Sequence, residues 1–384
     1  MVVTKYLLLL LCLLSLGSKL SAAVLPYDRA DIMYHGYSGG GVSIDGPSIL
    51  IRKSIADTVS LSANYYVDMI SGASIDVEAT ASAYSEERNE YTLAGDYLID
   101  KTMLSLSYTN SDEDDYQAQT LGFNISQDFF GDLSTLSLKA TAGTDTVLKN
   151  GDEEFEDEAL HRRYGISWTQ ILTQKLIVAA SVETVSDEGF LNNPYRSVRF
   201  RDDSAKGFGY ESELYPRTRN SDAFSVRGIY HLPYRASIKA EFRNYQDSWG
   251  VKANNYELRY THAYAENWLF EVKVRSYQQA SGADFYSDLF EYAQEKNFRA
   301  RDKELSQYTN NTFGLGVTYF MPPAWSVLSD KNSINLYWDR MSFDYDNFRN
   351  VLVHDEEGSS VAAGEESLYQ FDADVIRLYW SVWF

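Results

Sequence analysis

Apolar and polar residues alternate along most of the chain in segments of about ten residues. In one such segment, Leu104, Leu106 and Tyr108 alternate with Ser105 and Ser107. Successive side chains of a β-strand point to opposite faces, so the pattern predicts strands with one apolar face each. Comparable segments are centred near residues 61, 94, 123, 138, 167, 179, 227, 241, 258, 273, 316, 337 and 379.

The connections between these segments alternate in length. Short turns are predicted near residues 54–57, 100–101, 130–132, 173–174, 233–234 and 265–267. Longer polar connections are predicted at residues 70–89, 109–116, 144–160, 187–221, 279–307 and 343–369. Bacterial membrane barrels place short turns on the periplasmic side and long loops outside. With two weaker strands before Ser54, we expect about sixteen strands, within a range of 14–18.

The C-terminal segment supports a strand that faces lipid. Its apolar residues occupy one face, at Ile376, Leu378, Trp380, Val382 and Phe384. A last strand that ends in Phe resembles the C-terminal signature of Gram-negative outer-membrane proteins. We therefore expect outer-membrane lipid and the barrel-assembly machinery to be partners of this chain.

The N-terminal segment has the pattern of an export signal. Lys5 precedes the apolar run 6–16, and small residues at 21–23 suit cleavage, so residues 1–23 are predicted to be a signal peptide. Cys12, the single cysteine, lies inside this segment, which leaves no thiol in residues 24–384. Those residues are expected to form one domain.

Composition agrees with a barrel. Hydrophobic residues make up 44% of the chain and it contains 30 tyrosines, yet the mean hydropathy is only −0.36. No segment approaches the ~18 consecutive apolar residues of a membrane-spanning helix. The expected fold class is therefore all-β: a transmembrane antiparallel outer-membrane β-barrel, with long extracellular loops partly folded inward.

The charge of the chain excludes one class of function and weakens another. A formal net charge of −21 leaves no basic surface for nucleic acid. The acidic loops near residues 111–116 and 150–158 lack the ordered ligand spacing of a calcium loop. We expect solvated loops there, and neither a specific metal site nor a cofactor.

Strand parity predicts which charged side chains face the barrel interior. A charge on the lipid side costs about 2–4 kcal/mol near the middle of the bilayer, so the charged row opposite each apolar row must face inward. The predicted lumen-lining residues are Arg227, Lys239, Glu241, Arg243, Glu257, Arg259, Glu271, Lys273 and Arg275. Other strands present small polar residues, for example Ser105, Gly122 and Gly316.

Two interpretations of this asymmetric lumen stay open. The charges either neutralise each other across strands, with the small wall leaving room for an infolded loop, or they line a water-filled pore whose transverse field orients polar solutes. A barrel of about sixteen strands is wide enough for a channel unless loops plug it.

Two long loops carry clustered charges. The predicted loop residues are Arg196, Arg199, Arg201, Asp284, Asp288, Arg299, Arg301 and Lys303. Arg–carboxylate bridges would join the two loops into a rigid lid, or the same residues would form a constriction for an anionic or zwitterionic solute. The spacing of apolar residues in 285–293 predicts a short amphipathic helix, and residues 71–88 are a third candidate for folding inward.

The histidines give no catalytic pattern. His231 and His262 are predicted at periplasmic strand ends, and His35, His161 and His354 in or near loops. None lies beside a Gly-rich nucleophile turn, so we expect polar surface roles and no catalytic residues.

Several longer motifs resemble a proteobacterial outer-membrane family that is defined only as a domain of unknown function. They are RKS (52–54), YYVDMIS (65–71), ASIDVEATAS (73–82), QDFFGDLSTLSL (127–138), ILTQKL (171–176), DEGFLNNPYRSVR (187–199), ADFYSDLF (283–290) and ARDKELS (300–306). The resemblance implies the barrel fold and the location, and supplies no catalytic residues. It also implies that the gene lies near genes for flavin attachment and for periplasmic redox proteins.

These observations predict a channel or porin-like transport protein with a charged lumen and a loop constriction, which passes a small polar solute. The alternative is a plugged structural or surface-interaction barrel that scaffolds periplasmic redox proteins. A barrel-embedded hydrolase is the third hypothesis.

Overall fold

Sixteen strands close into a single antiparallel barrel in the computed structural model, which describes residues 24–72, 74–75, 84–204, 206–322, 331–355 and 360–384. The predicted fold class and strand number are confirmed. The predicted signal peptide, and residues 73 and 76–83 of the third infolding candidate, lie outside the described residues. No helix in the described ranges is long and apolar enough to cross a membrane.

The strands follow one another around the barrel in chain order. The first nine are β1 Arg29–Gly39, β2 Val42–Ile55, β3 Val59–Gly72, β4 Tyr84–Ile99, β5 Thr102–Asp112, β6 Tyr116–Phe129, β7 Ser134–Leu148, β8 Glu156–Thr173 and β9 Leu176–Gly189. A separate hairpin, β10 Ser197–Arg201 and β11 Phe208–Ser212, lies in the connection that follows. The barrel continues with β12 Thr218–Leu232, β13 Ala236–Asp247, β14 Lys252–Tyr264, β15 Trp268–Ser281, β16 Tyr308–Phe320, β17 Lys331–Arg349 and β18 Leu368–Trp383.

Pairing between β1 and β18 closes the barrel, with a continuous register from Arg29 opposite Trp383 to Gly39 opposite Ala373. The connection between β9 and β12 leaves the wall, yet the two strands pair directly, with Phe224 opposite Val182. Closure leaves no sheet edge unpaired, which is the condition for β-structure to span a bilayer.

An apolar belt covers the outside of the barrel. Ile376 and Leu378 are each 48% exposed, and the outward residues of the neighbouring strands are similarly apolar and exposed. The belt ends abruptly in polar side chains towards the long loops, as where Ile376 is followed by Asp374 on the same face. Exposed tyrosines mark this edge, at Tyr34, Tyr65, Tyr91, Tyr108, Tyr164 and Tyr256. An outer apolar belt with an aromatic girdle is the lipid-facing surface of a membrane barrel.

The long-loop end is covered by a layer that we call the lid. It has three segments, one from each of three long connections: residues 190–217 (described except for 205), residues 282–307, and residues 350–367 (described except for 356–359). The predicted helix near residues 285–293 is wrong, because this segment has an irregular path with isolated bridges. Phe285 and Phe290 are 7% and 2% exposed, so their apolar spacing reflects packing inside the lid. The last connection is shorter than predicted, since β17 extends to Arg349.

Candidate functional site

The lid has an aromatic core. Tyr215, Trp249 and Phe285 form a triangle with ring centroids 5.3–5.4 Å apart, and each side chain is buried. The Trp249 indole also donates a hydrogen bond to the carbonyl of Thr218, 2.9 Å away. Because Trp249 comes from the β13–β14 connection, this core attaches the lid to the barrel wall.

A buried ion network joins the three segments of the lid. Arg199 is fully buried, and its guanidinium contacts Glu366 Oε1 and Asp288 Oδ2, each at 2.5 Å. Arg301 contacts the other oxygen of Asp288 at 3.2 Å and lies 4.4 Å from the ring centroid of Phe348. Buried charges require partners of this kind, since a single unpaired charge in the lid would be strongly destabilising.

Glu366 is the acceptor that most of this network surrounds. Its carboxylate receives hydrogen bonds from Arg199, from the Gly364 backbone N–H at 2.9 Å and from His354 Nε2 at 2.6 Å. Burial raises the pKa of Glu366, but the hydrogen bonds from Arg199 and His354 outweigh that effect and lower it to about 2. The carboxyl group is therefore ionised at neutral pH.

A second buried carboxylate pair lies between the first two segments of the lid. Arg196 binds Asp302, while Glu213 accepts hydrogen bonds from the Tyr215 hydroxyl at 2.8 Å and from the Arg301 backbone N–H at 2.6 Å. Burial and the nearby charge of Asp302 raise the pKa of Glu213 to about 7.

The structure places the remaining predicted loop residues around this core. Arg201 is half-exposed and lies 3.4 Å from Glu291, and Arg299 lies 3.2 Å from Glu211. Lys303 is buried, and the Asp284 carboxylate lies against Gly250. Glu366, Glu213 and His354 were not predicted, because they are distant in sequence from the clusters they join.

The predicted charged residues of the lumen form a ladder of ion pairs. Lys239 lies 3.0 Å from Glu241 and 3.2 Å from Glu257. Arg259 lies 3.2 Å from both Glu257 and Glu271. The pairs between strands are diagonal, because the register sets Lys239 directly opposite Arg259 and Arg259 directly opposite Lys273. Diagonal pairing relieves the repulsion between like charges that face each other.

The ladder continues across β16 to residues that were not predicted. Lys273 contacts Asp339 at 2.7 Å, and Asp339 contacts Arg377 at 2.8 Å. Gly314 separates Lys273 from Asp339, and a Cβ atom there would lie 2.2 Å from the Asp339 carboxylate. The sequence contains a signal for both residues. In β17 and β18 the apolar residues occupy the opposite face, so Asp339 and Arg377 must face inward.

Replacing Gly314 should therefore disrupt the ladder. We expect Gly314→Val to displace Asp339 and lower the free energy of unfolding by about 1–3 kcal/mol, the usual cost of inserting methyl groups into filled space. The matched control is Gly228→Val, since a Cβ at Gly228 would meet no atom within 4 Å. Urea unfolding in lipid vesicles measures both variants, and equal losses would contradict the steric explanation.

The other predicted lumen residues are less tightly paired. Arg243 lies 3.0 Å from Glu183, Arg275 donates to the side-chain Oδ1 of Asn255 at 2.5 Å, and Arg227 is exposed. The wall expected to be small and polar also carries charge, because Arg52 lies 3.6 Å from Asp96 and Lys139 shares the inward face of β7 with Ser137.

Two cavities lie beneath the lid. The first, of about 710 Å³, is lined by Glu304, Lys303 and Arg196 of the lid and by aromatic residues of the barrel wall. The second, of about 570 Å³, is lined by the stretch 190–195 and by an acidic group comprising Glu86, Glu113, Asp114, Asp115 and Asp187.

The acidic cavity has the ligand chemistry of a cation site. Carboxylate oxygens of Glu86, Glu113 and Asp115 lie within 4.8 Å of one another, and hard oxygen ligands suit divalent cations. Burial raises the pKa of Glu113, an effect that Arg88 partly offsets. The Tyr195 hydroxyl donates a hydrogen bond to Asp115, so the 190–195 stretch forms one wall of this cavity.

Two of the histidines lie inside strands and pair with carboxylates. His35 lies inside β1, where it stacks on Tyr66 and contacts Asp68 at 2.7 Å, so its predicted place near a loop is wrong. His161 lies in β8 between Asp145 and Asp187, at 2.9 and 2.8 Å. Both face the lumen, and their partners are carboxylates.

Solved structures that are similar to this chain include three at 7–10% sequence identity. CdiB from Acinetobacter baumannii shares 10% identity at a TM-score of 0.49, with 92% of this chain covering 60% of that chain. A bacterial polysaccharide outer membrane secretin shares 7% identity at a TM-score of 0.48, covering 94% of this chain and 100% of the other. The outer membrane protein opdK from Pseudomonas aeruginosa shares 9% identity at 0.45, covering 93% and 99%.

At these scores the similarities assign no function. No curated protein matches the sequence. One family model does match, over residues 77–331, a range that includes most of the barrel wall and the first two segments of the lid. The chain therefore belongs to the family described as "Protein of unknown function (DUF3570)".

Proposed function

We propose that this protein is an outer-membrane channel for small polar solutes, narrowed at its extracellular mouth by the lid. The observation that carries the proposal is the exposure of charged side chains on the inner face of the barrel. Arg243 and Arg377 each keep 42% of the side chain exposed, and Arg259 keeps 31%. Ionised groups keep such exposure only towards water, and this supports a solvated interior below the lid.

The ion-pair ladder makes one side of this interior more charged than the other. The charged wall runs along β12–β15 and continues to β17 and β18, while β3 and β5–β7 contribute mainly hydroxyl and amide groups. Because the first of these walls carries more charge than the second, a transverse field results that orients a dipolar solute as it passes.

Ion selectivity tests whether the charged wall lines the conducting path. In planar bilayers, we expect the full-length protein to conduct. We expect the reversal potential of the triple variant to show a severalfold higher preference for cations; this variant combines Arg243→Gln, Arg259→Gln and Arg275→Gln. The three positive charges lie within a Debye length of about 10 Å of the path, so their removal makes the local electrostatic potential more negative.

Arg340→Gln is the control for this experiment. Arg340 shares the outward face of β17 with Leu336 and pairs with Asp372 and Asp374 outside the barrel. Unchanged selectivity in the triple variant would mean that these arginines do not line the path, and absence of any conductance would overturn the channel.

The packed lid favours a second candidate, a plugged barrel that acts as a structural or surface-interaction protein, for example as a scaffold for periplasmic redox proteins. A lid held by fully buried Arg199 and Glu366 is more rigid than a mobile loop. The two candidates differ in one result: a plugged barrel conducts only after the lid is destabilised.

We further propose that residues 1–23 direct export, that residues 24–384 form one domain, and that β18 engages the barrel-assembly machinery. Deleting Phe384 tests the last proposal, since it should lower the amount of protein in the outer-membrane fraction. An unchanged amount would contradict it.

A further inference from the structure

Glu304 is the one exposed side chain on a tightly built turn of the lid. It lies in the 3-10 turn Lys303–Leu305, whose Asp302 cap accepts a hydrogen bond from the Glu304 backbone N–H at 2.8 Å. The Ser306 hydroxyl closes the turn by donating to the Lys303 carbonyl at 2.6 Å. Lys303, Leu305 and Ser306 are 8%, 4% and 0% exposed, whereas Glu304 is exposed.

The barrel wall holds this turn in place. Gln279 of β15 is 3% exposed, and its amide nitrogen donates to the carbonyl oxygens of Glu304 at 2.8 Å and of Ser306 at 2.6 Å. The Glu304 backbone is therefore fixed relative to the wall, which restricts the region that its carboxylate can reach.

That region is the cavity of about 710 Å³ beneath the lid, and its wall is aromatic. Tyr308 and Tyr345 have ring centroids 5.2 Å apart, Phe343 and Phe371 have centroids 4.5 Å apart, and Tyr37 completes the lining from β1. The volume lies within the range of roughly 300–1,000 Å³ that is usual for small-molecule sites.

Among the described residues that line the cavity, Glu304 differs from its charged neighbours in having no ion pair. Arg196 is paired with Asp302, and Arg219 contacts Asp247 at 2.6 Å. Within the described residues, no ion pair joins Glu304 to any cation, so its negative charge is available to a ligand. An anionic ligand has no comparable partner, because both arginines already hold a carboxylate and Lys303 is buried in the turn.

We propose that this cavity recognises a solute with a protonated amine and an apolar, ring-containing body, an inference that rests on the proposed channel and names its class of substrate. The amine binds the Glu304 carboxylate, and the body packs against the aromatic wall. Sites of this kind combine an apolar lining with a few fixed polar groups that set orientation.

Binding to the refolded full-length protein tests the proposal without any measurement of transport. The probe is phenethylammonium, with phenylacetate as its partner of opposite charge, and the readouts are calorimetry and the fluorescence of Trp249, which lines the cavity. We expect phenethylammonium to bind and phenylacetate not to bind. Glu304→Gln should weaken phenethylammonium binding about tenfold, which corresponds to the loss of one partly solvated charge pair.

Glu266→Gln is the matched control, because Glu266 lies in the exposed turn between β14 and β15, at the opposite end of the barrel. The proposal is overturned if phenethylammonium fails to bind, or if it binds Glu304→Gln and the parent protein equally. Binding without conductance in bilayers would refute the channel and leave the site, whereas conductance without binding would refute the site alone.

Discussion

Replacing Arg199 with Met is expected to open the lid while leaving the barrel intact. The substitution removes the partner of two carboxylates and leaves Glu366, whose side chain is fully buried, facing Asp288. Breaking a buried ion pair from one side costs about 3–5 kcal/mol, since the remaining charge is uncompensated. The strands keep their pairing and their lipid-facing belt, so the loss should be confined to the lid.

Hydrogen exchange in lipid vesicles measures this effect directly. Amides of 197–201 and 286–290 should exchange faster in Arg199→Met, while amides of the barrel wall keep their protection. Arg201→Met is the matched control, because Arg201 is two residues away, half-exposed and paired with the exposed Glu291. We expect a change of less than about 1 kcal/mol there. Equal effects of both substitutions would show that the buried network does not hold the lid.

Lowering the pH should open the lid, because Glu366 becomes protonated. The pKa of Glu366 is lowered from its usual 4.5 to about 2, so the folded lid favours the ionised form. The resulting stabilisation, about 3 kcal/mol by the relation between pKa shift and free energy, is fully present above pH 4.5 and is lost as pH falls towards 2. The measurement is lid exchange as a function of pH, normalised to the intrinsic exchange rate.

A substitution of Glu366 separates this effect from general unfolding in acid. Glu366→Gln should remove the pH dependence of lid exchange between about pH 5 and pH 2. If this variant keeps the same dependence, Glu366 is not its cause.

Glu213 has the opposite effect on the stability of the lid, because its pKa is raised to about 7. Its contribution declines as pH rises from about 4.5 to 7, and Glu213→Gln should abolish that decline.

The barrel was predictable from the sequence because strand parity is a local property. The alternation of residues such as Ile238 and Lys239 depends only on the pleat and on the cost of charge in lipid, and both act within one strand. Strand number and the placement of the turns follow from the same alternation. The inward direction of the predicted lumen charges needed no knowledge of neighbouring strands.

The pairing partners and the lid were not predictable in this way. The contact of Lys273 with Asp339 depends on the register of three strands and on Gly314 between them. Arg199 and Glu366 are 167 residues apart, a separation that no periodicity encodes. The predicted helix at 285–293 failed for a related reason. The spacing of Phe285 and Phe290 also suits an irregular segment whose aromatic side chains all turn into a buried core, and only the tertiary contacts distinguish the two.

Single-channel recording tests the central claim, that a solvated lumen lies beneath a lid held by buried ion pairs. The full-length protein, Arg199→Met and Arg201→Met would be reconstituted in planar bilayers under identical salt conditions. We predict measurable conductance for the parent protein, the same conductance for Arg201→Met, and a larger conductance for Arg199→Met. If the parent protein does not conduct and Arg199→Met does, the barrel is plugged. If none of the three proteins conducts, the result contradicts a channel in any form.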